Sequence, residues 1–184
     1  MADMKLRRRP PLGHGPIAIG STTLSVGPAL ARFILRGEES LATLSVRFGV
    51  EIPTAPCRAE AVGARAAVWL GPDEWLLLAP EGEEEAIGAA IGDLAGALVE
   101  VSQRQTALIL EGAGAALALS GGVPLDLSAG AFPVGMATRT LFEKAEILLW
   151  RTRPERFHIE VLRSFAPYVW SMLELILKEN AAAP

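Results

Sequence analysis

The sequence predicts an α+β protein of two halves, each on the β-α-β-β-α-β type of plan called ferredoxin-like. Three observations lead there. Short apolar runs of strand length recur along the chain and are bounded by glycine and proline. Between them lie three stretches with apolar residues at helical spacing, 38–48, 83–97 and 165–177. The order of these elements is nearly the same twice: 31–101 reads β-α-β-β-α-β and 104–177 reads β-α-β-β-β-α. The halves share this rhythm without sharing residues, so residues 31–180 are read as one α+β domain of two halves. Residues 1–30 are read as an N-terminal arm and loop, partly flexible, because they are rich in Gly, Pro, Ser and Thr.

Taken in order, the loop contains one short extended piece, Thr22 to Val26. Ala31 to Arg36 is a compact apolar run stopped by Gly37, hence a strand. From Glu38 to Phe48, Leu41, Leu44 and Phe48 share a helical face. Glu38 and Glu39 fall in the first turn, where the helix dipole favours them, and Gly49 follows the end. Residues 66–70 and 75–79 flank a Gly-Pro-Asp-Glu turn and read as a β-hairpin. The acidic run Glu81 to Glu85 suits the start of a helix over 83–97. Leu98 to Leu110 reads as one long or kinked strand with a polar interruption at Ser102–Gln105. A small-residue helix over 112–120 follows, stopped by Gly121-Gly122, and then a tight apolar turn at 123–127. Strands are expected at 136–142, 145–151 and 156–162, and the last helix at 165–177.

Composition narrows the function. The chain has 184 residues, 17 Lys and Arg against 21 Asp and Glu, and 51% apolar residues. That much apolar material with so little net charge excludes disorder. A single cysteine excludes a disulfide scaffold and makes the cytoplasm the default location. An isoelectric point near 5.3 argues against nucleic acid, and no apolar run reaches membrane-spanning length. The mean hydropathy of +0.33 is high for a soluble chain, which suggests surface hidden against a partner. The basic Lys5, Arg7, Arg8 and Arg9 near the start are not followed by the uninterrupted apolar stretch that an export signal needs.

The chain is poor in catalytic patterns. Gly112-x-Gly114 sits between a strand and a helix, but Leu117 stands where a dinucleotide fingerprint needs a third small residue. His14 and His158 are isolated, so no metal site is expected. His158 alternates onto the Glu160 face of its strand and reads as a surface histidine. Cys57 has no nucleophile context, and Asp73 and Glu74 shape a turn. No catalytic residue is assigned. Arg104, Arg139 and Arg163 are the candidates for holding a carboxylate tail. Trp75, Phe165, Tyr168 and Trp170 are of the types enriched at interface hot spots and are the interface candidates.

Six stretches, in order across residues 66–177, carry a family resemblance: WLGPDEWLLL (69–78), VEVSQRQTALILEG (99–112), VPLDL (123–127), FPVGMATRT (132–140), KAEILLW (144–150) and RSFAPYVW (163–170). Together they resemble the gamma subunit of heterotetrameric sarcosine oxidase. Gln103 departs from the histidine expected between Ser102 and Arg104 in many relatives. The resemblance implies a folate-binding-domain-like fold, kin to aminomethyltransferase domains. It implies a small accessory subunit packed against larger flavoprotein subunits. The complex would demethylate sarcosine oxidatively to glycine, release hydrogen peroxide and pass the one-carbon unit to tetrahydrofolate. FAD, FMN, NAD, zinc and tetrahydrofolate would be carried by those partners, with no cofactor in this chain. The alternative is a folate-binding or aminomethyltransferase-like module, since kinship of fold does not by itself transfer folate binding.

Overall fold

Most strands are near-continuous apolar runs rather than alternating ones, because both faces of each sheet are covered. The computed structural model describes residues 11–182 except His14, Glu38, Glu39 and Ala95. The basic arm at Lys5–Arg9, the helix-starting role of Glu38 and Glu39, and His14 lie outside the described residues. Among those described, a five-stranded and a six-stranded antiparallel sheet pack against each other. Helices cover the outer face of each.

The small sheet is built from β3 (Leu30–Arg36), β4 (Ala59–Val62), β5 (Arg65–Gly71), β6 (Glu74–Pro80) and β7 (Ala97–Glu100), in the order β4-β5-β6-β3-β7. Its outer face, Ala31, Phe33, Leu35, Trp75 and Leu77, is closed by α1 (Leu41–Phe48) and α2 (Glu84–Ile91). Helix α1 buries Leu44 and Phe48 and ends at Gly49, whose φ of 79° closes the turn without a Cβ penalty. The helix expected over 83–97 stops at Ile91. A tighter turn at Gly92–Leu94 follows, and the chain then joins the sheet as β7.

The large sheet runs β1-β2-β8-β11-β10-β9. Its strands are β1 (Ile17–Ile19), β2 (Thr22–Val26), β8 (Gln105–Gly112), β9 (Ala137–Phe142), β10 (Ala145–Arg153) and β11 (Arg156–Leu162). Helices α3 (Ala115–Ser120) and α4 (Ala166–Ala182) cover its outer core.

Both sheets hold the ferredoxin-like order. In the small one, β3-α1-β5-β6-α2-β7 supplies the order β5-β6-β3-β7. In the large one, β8-α3-β10-β11-α4 supplies all but the last strand, and that place beside β8 is taken by β2 from the N-terminal segment. The second half is thus a circular permutation of the first. Strands β4 and β9 are matching additions at the far edges, and the two edges meet: Ala59 N–H donates to Gly135 O at 2.8 Å and Ala137 N–H to Cys57 O at 3.0 Å.

Two expectations are corrected here. Within the segment read as arm and loop, the extended piece Thr22 to Val26 is β2 as expected; what differs is that β1 forms beside it and that Leu24 is fully buried, because β8 offers an unpaired edge and an apolar face. The single strand expected over 98–110 is two strands in different sheets. Ser102 breaks it: its Oγ accepts the Arg32 N–H at 3.0 Å, and Arg104 N–H closes a turn on Val101 O.

The glycine pair of the apparent dinucleotide motif serves packing. Gly112 has φ 129°, and a Cβ there would overlap the Ser21 carbonyl oxygen; a Cβ on Gly114 would meet Thr22 Oγ1 at 2.7 Å. The glycines let the turn into β2 cross the end of β8. Gly112→Ala is therefore expected to cost at least the ~1–3 kcal/mol of a strained backbone, read as a lower midpoint in urea unfolding. Gly63→Ala is the weaker comparison, since its φ is 61° but nothing lies within 4 Å.

Candidate functional site at the seam between the sheets

The inner faces of the two sheets are less apolar than the outer ones, and they hold the molecule's most buried charges. On β3, Arg32 alternates with Ala31 and Phe33, so it points away from the helices and toward the large sheet. On β11, His158 and Glu160 alternate with Phe157, Ile159 and Val161 and face back toward it. Arg32 Nε donates to Glu160 Oε2 at 2.7 Å and Nη2 to Oε1 at 3.1 Å, a bidentate pair across the seam. Nη1 donates to Leu30 O at 3.0 Å. His158 Nε2 lies 2.7 Å from Glu160 Oε1. Glu160 is 0% exposed. Burial by itself raises its carboxyl pKa, but the hydrogen bond and charge of His158 and the charge and hydrogen bond of Arg32 together outweigh that and hold it below the usual glutamate range. Trp150 completes the cluster, its ring 5.7 Å from that of His158.

His158 is thus not the surface histidine that strand alternation suggests; it is 7% exposed, because the face it shares with Glu160 is roofed by the other sheet.

Cavities open around this cluster. The largest, about 600 Å³, lies between the sheets beside Trp150 and His158. A second, about 260 Å³, is lined by Arg32, Glu81, Gln105 and Arg163. A third, about 70 Å³, is lined by Arg104, Arg139, Glu74 and Glu146.

The three arginines proposed for a carboxylate tail are not brought together. Arg104 and Arg139 share the smallest of these cavities, while Arg163 borders another and donates to Gln103 Oε1 at 3.0 Å. Arg139 is held by Glu74 at 2.9 Å and donates to Leu70 O at 3.2 Å; Glu74 also takes Arg36 at 3.0 Å. The four interface candidates divide as well. Trp75 and Trp170 are 1% and 3% exposed, and each packs in a helix-covered core. Trp75 also donates its indole N–H to Pro53 O at 2.7 Å. Their bulk and apolar rings fill cores, so neither presents a surface to a partner. Tyr168 is half-buried against the large-sheet core, and Phe165 is 41% exposed at the start of α4.

Sequence reading missed Arg32 and Glu160. The signal was present: one arginine inside an apolar strand, and His-x-Glu inside another, each at the parity opposite its neighbours.

Among the described residues, no group of three or more His, Cys, Asp or Glu is arranged to hold a metal, and no helix is long and apolar enough to cross a membrane. The class of protein this defines is an α+β fold of two ferredoxin-like sheets packed inner face to inner face. The same fold occurs in aminomethyltransferase T of the glycine cleavage system from Bartonella henselae: the TM-score is 0.61 at 13% identity, over 84% of this chain and 46% of that one.

Nearer relatives define the family. The "Sarcosine oxidase, gamma subunit family" matches residues 38–180, and the chain belongs to it. It is 35% identical to the sarcosine oxidase subunit gamma of Corynebacterium sp. strain P-1 over 80% of this chain and 74% of that one. It is 30% identical to that of strain U-96 over 100% of this chain and 96% of the relative. A chain of the heterotetrameric sarcosine oxidase from Corynebacterium sp. U-96, solved in complex with pyrrole 2-carboxylate, superposes with a TM-score of 0.85 at 30% identity, over 96% and 98% of the two chains.

Proposed function

We propose that this chain is a small accessory subunit of a sarcosine oxidase complex, one that packs against larger flavoprotein subunits and supports their assembly without chemistry of its own. The observation that carries the reading is the likeness, over nearly the whole chain, to a chain of a heterotetrameric sarcosine oxidase. The complex would act in the cytoplasm, demethylating sarcosine to glycine with tetrahydrofolate as one-carbon acceptor. FAD, FMN, NAD, zinc and tetrahydrofolate would sit on the partner subunits. What this chain's own residues do in that setting is hold a shape. The Arg32–Glu160 pair clasps the two sheets, and exposed side chains such as Phe165 offer apolar contact.

Co-expression of the full chain with its companion large subunits tests this. A single co-eluting species on size exclusion is the expected result, and Phe165→Asp should weaken it by burying a charge against the partner. Separate elution of the unchanged chain would overturn the reading. The isolated chain is expected to give no sarcosine-dependent peroxide; turnover there would overturn it as well.

A further inference from the structure

We propose that the cleft between the two sheets binds a small organic acid, its carboxylate taken at the mouth by Arg153 and its apolar body laid against Trp150. The cleft measures about 600 Å³, within the roughly 300–1,000 Å³ of ordinary small-molecule sites. Its walls come from both sheets. Leu30, Leu78 and Ile109 are apolar, and the tilted Trp150–His158 pair adds a flat aromatic side. The β4–β5 turn contributes Gly63 and Ala64, whose small size leaves the entrance open.

The charge at the mouth selects the ligand. Among the described residues, three guanidiniums line the cleft, those of Arg65, Arg153 and Arg156, against the carboxylate of Glu81. Two of them are committed elsewhere. Arg65 holds Glu83 at 2.7 Å, and Arg156 holds Glu111 at 2.7 Å. Arg153 approaches that same Glu111 only at 4.0 Å, is 70% exposed, and stands at the turn between β10 and β11. Of the three, Arg153 is the most loosely held, and one such cation beside an apolar cavity fits a monoanion with an apolar body; a polyanion would need more. The Trp150 ring forms one wall of the same cleft, and its enclosed indole N–H reports on what is laid against that ring.

The site is independent of the assembly role, and the full chain alone suffices to test it. The probes are 2-naphthoate and its uncharged counterpart 2-naphthamide, followed by calorimetry and by the indole N–H resonance that Trp150→Phe removes. Naphthoate should bind saturably with Kd below about 1 mM and shift the Trp150 resonance. Arg153→Gln should weaken naphthoate about tenfold, the loss of one charge-assisted contact, and leave naphthamide unchanged. Ala64→Trp, at an exposed turn position, should weaken both. Lys144→Gln, exposed in the turn between β9 and β10 and outside the cleft, is the control and should change neither. The proposal fails if the unchanged chain shows no saturable naphthoate binding up to about 10 mM. It fails equally if either Arg153→Gln or Ala64→Trp leaves naphthoate affinity within about twofold.

Discussion

Arg32→Met is expected to destabilise the chain by about 3–5 kcal/mol, because it leaves the Glu160 carboxylate buried without its bidentate partner. His158 remains, but one imidazole contact at 2.7 Å does not replace two guanidinium bonds. The control that separates charge from packing is the double variant Arg32→Met, Glu160→Leu. Apolar residues of similar bulk in place of a buried ion pair are commonly neutral or better, so the double variant should recover most of the loss. Urea unfolding of the three proteins reads this directly. If the single and double variants were equally unstable, the seam would be held by shape rather than by the ion pair.

The same cluster sets a pH dependence. Glu160 has its folded pKa below the ordinary value, so folding favours the ionised form. Such a group contributes stability that is fully present above the unfolded pKa, about 4.3 for glutamate, and lost as pH falls through the folded value. The stability gap between the unchanged chain and Glu160→Gln should therefore be widest above about pH 5 and close as the solution is acidified. A gap that widened on acidification would contradict the assignment.

Removal of residues 1–27 is expected to abolish folding of the large sheet. It takes away the strand that pairs with β8 from Thr22 to Val26 and with it Leu24, which is fully buried in the large-sheet core. Loss of the Leu24 side chain alone, as Leu24→Ala, should cost about 2–5 kcal/mol; loss of the strand also uncovers the β8 edge. The defect should be curable by topology. Helix α4 ends beside the β1–β2 turn, since a Cβ on Gly20 would lie 3.8 Å from Ala181 Cβ. Residues 16–27 re-attached after Pro184 through a short Gly-rich linker should pair with β8 again and restore the uninterrupted ferredoxin-like order. Solubility and a cooperative thermal transition in the permuted chain, absent from the truncated one, are the readout. A truncated chain that folded as well as the full one would show that β2 is an ornament of the sheet.

Much of the local structure was legible. The hairpin 66–79, helix α1 with its closing Gly49 and the strands β9 to β11 follow from apolar spacing and turn residues, which are local properties. The site was less so. His-x-Glu on a strand has the parity of a solvent face, and a lone arginine in an apolar strand has the look of an exception. Both readings invert once a second sheet covers that face, and nothing within either strand says that it will. Trp75 and Trp170 failed as interface residues for a related reason: aromatic side chains are enriched in cores and at interfaces alike, and only burial tells the two apart.

By itself, then, the sequence determined the α+β class, the two ferredoxin-like halves and the family, because these rest on periodicity within elements and on motifs contiguous in the chain. The tertiary structure alone decided three things: that the missing strand of the second half comes from the N-terminal segment, that the inner faces meet through Arg32, Glu160 and His158, and that a cleft opens beside them. Arg32 and Glu160 are 128 positions apart. Pairing them is a property of how two sheets stack, and short-range pattern carries no information about that.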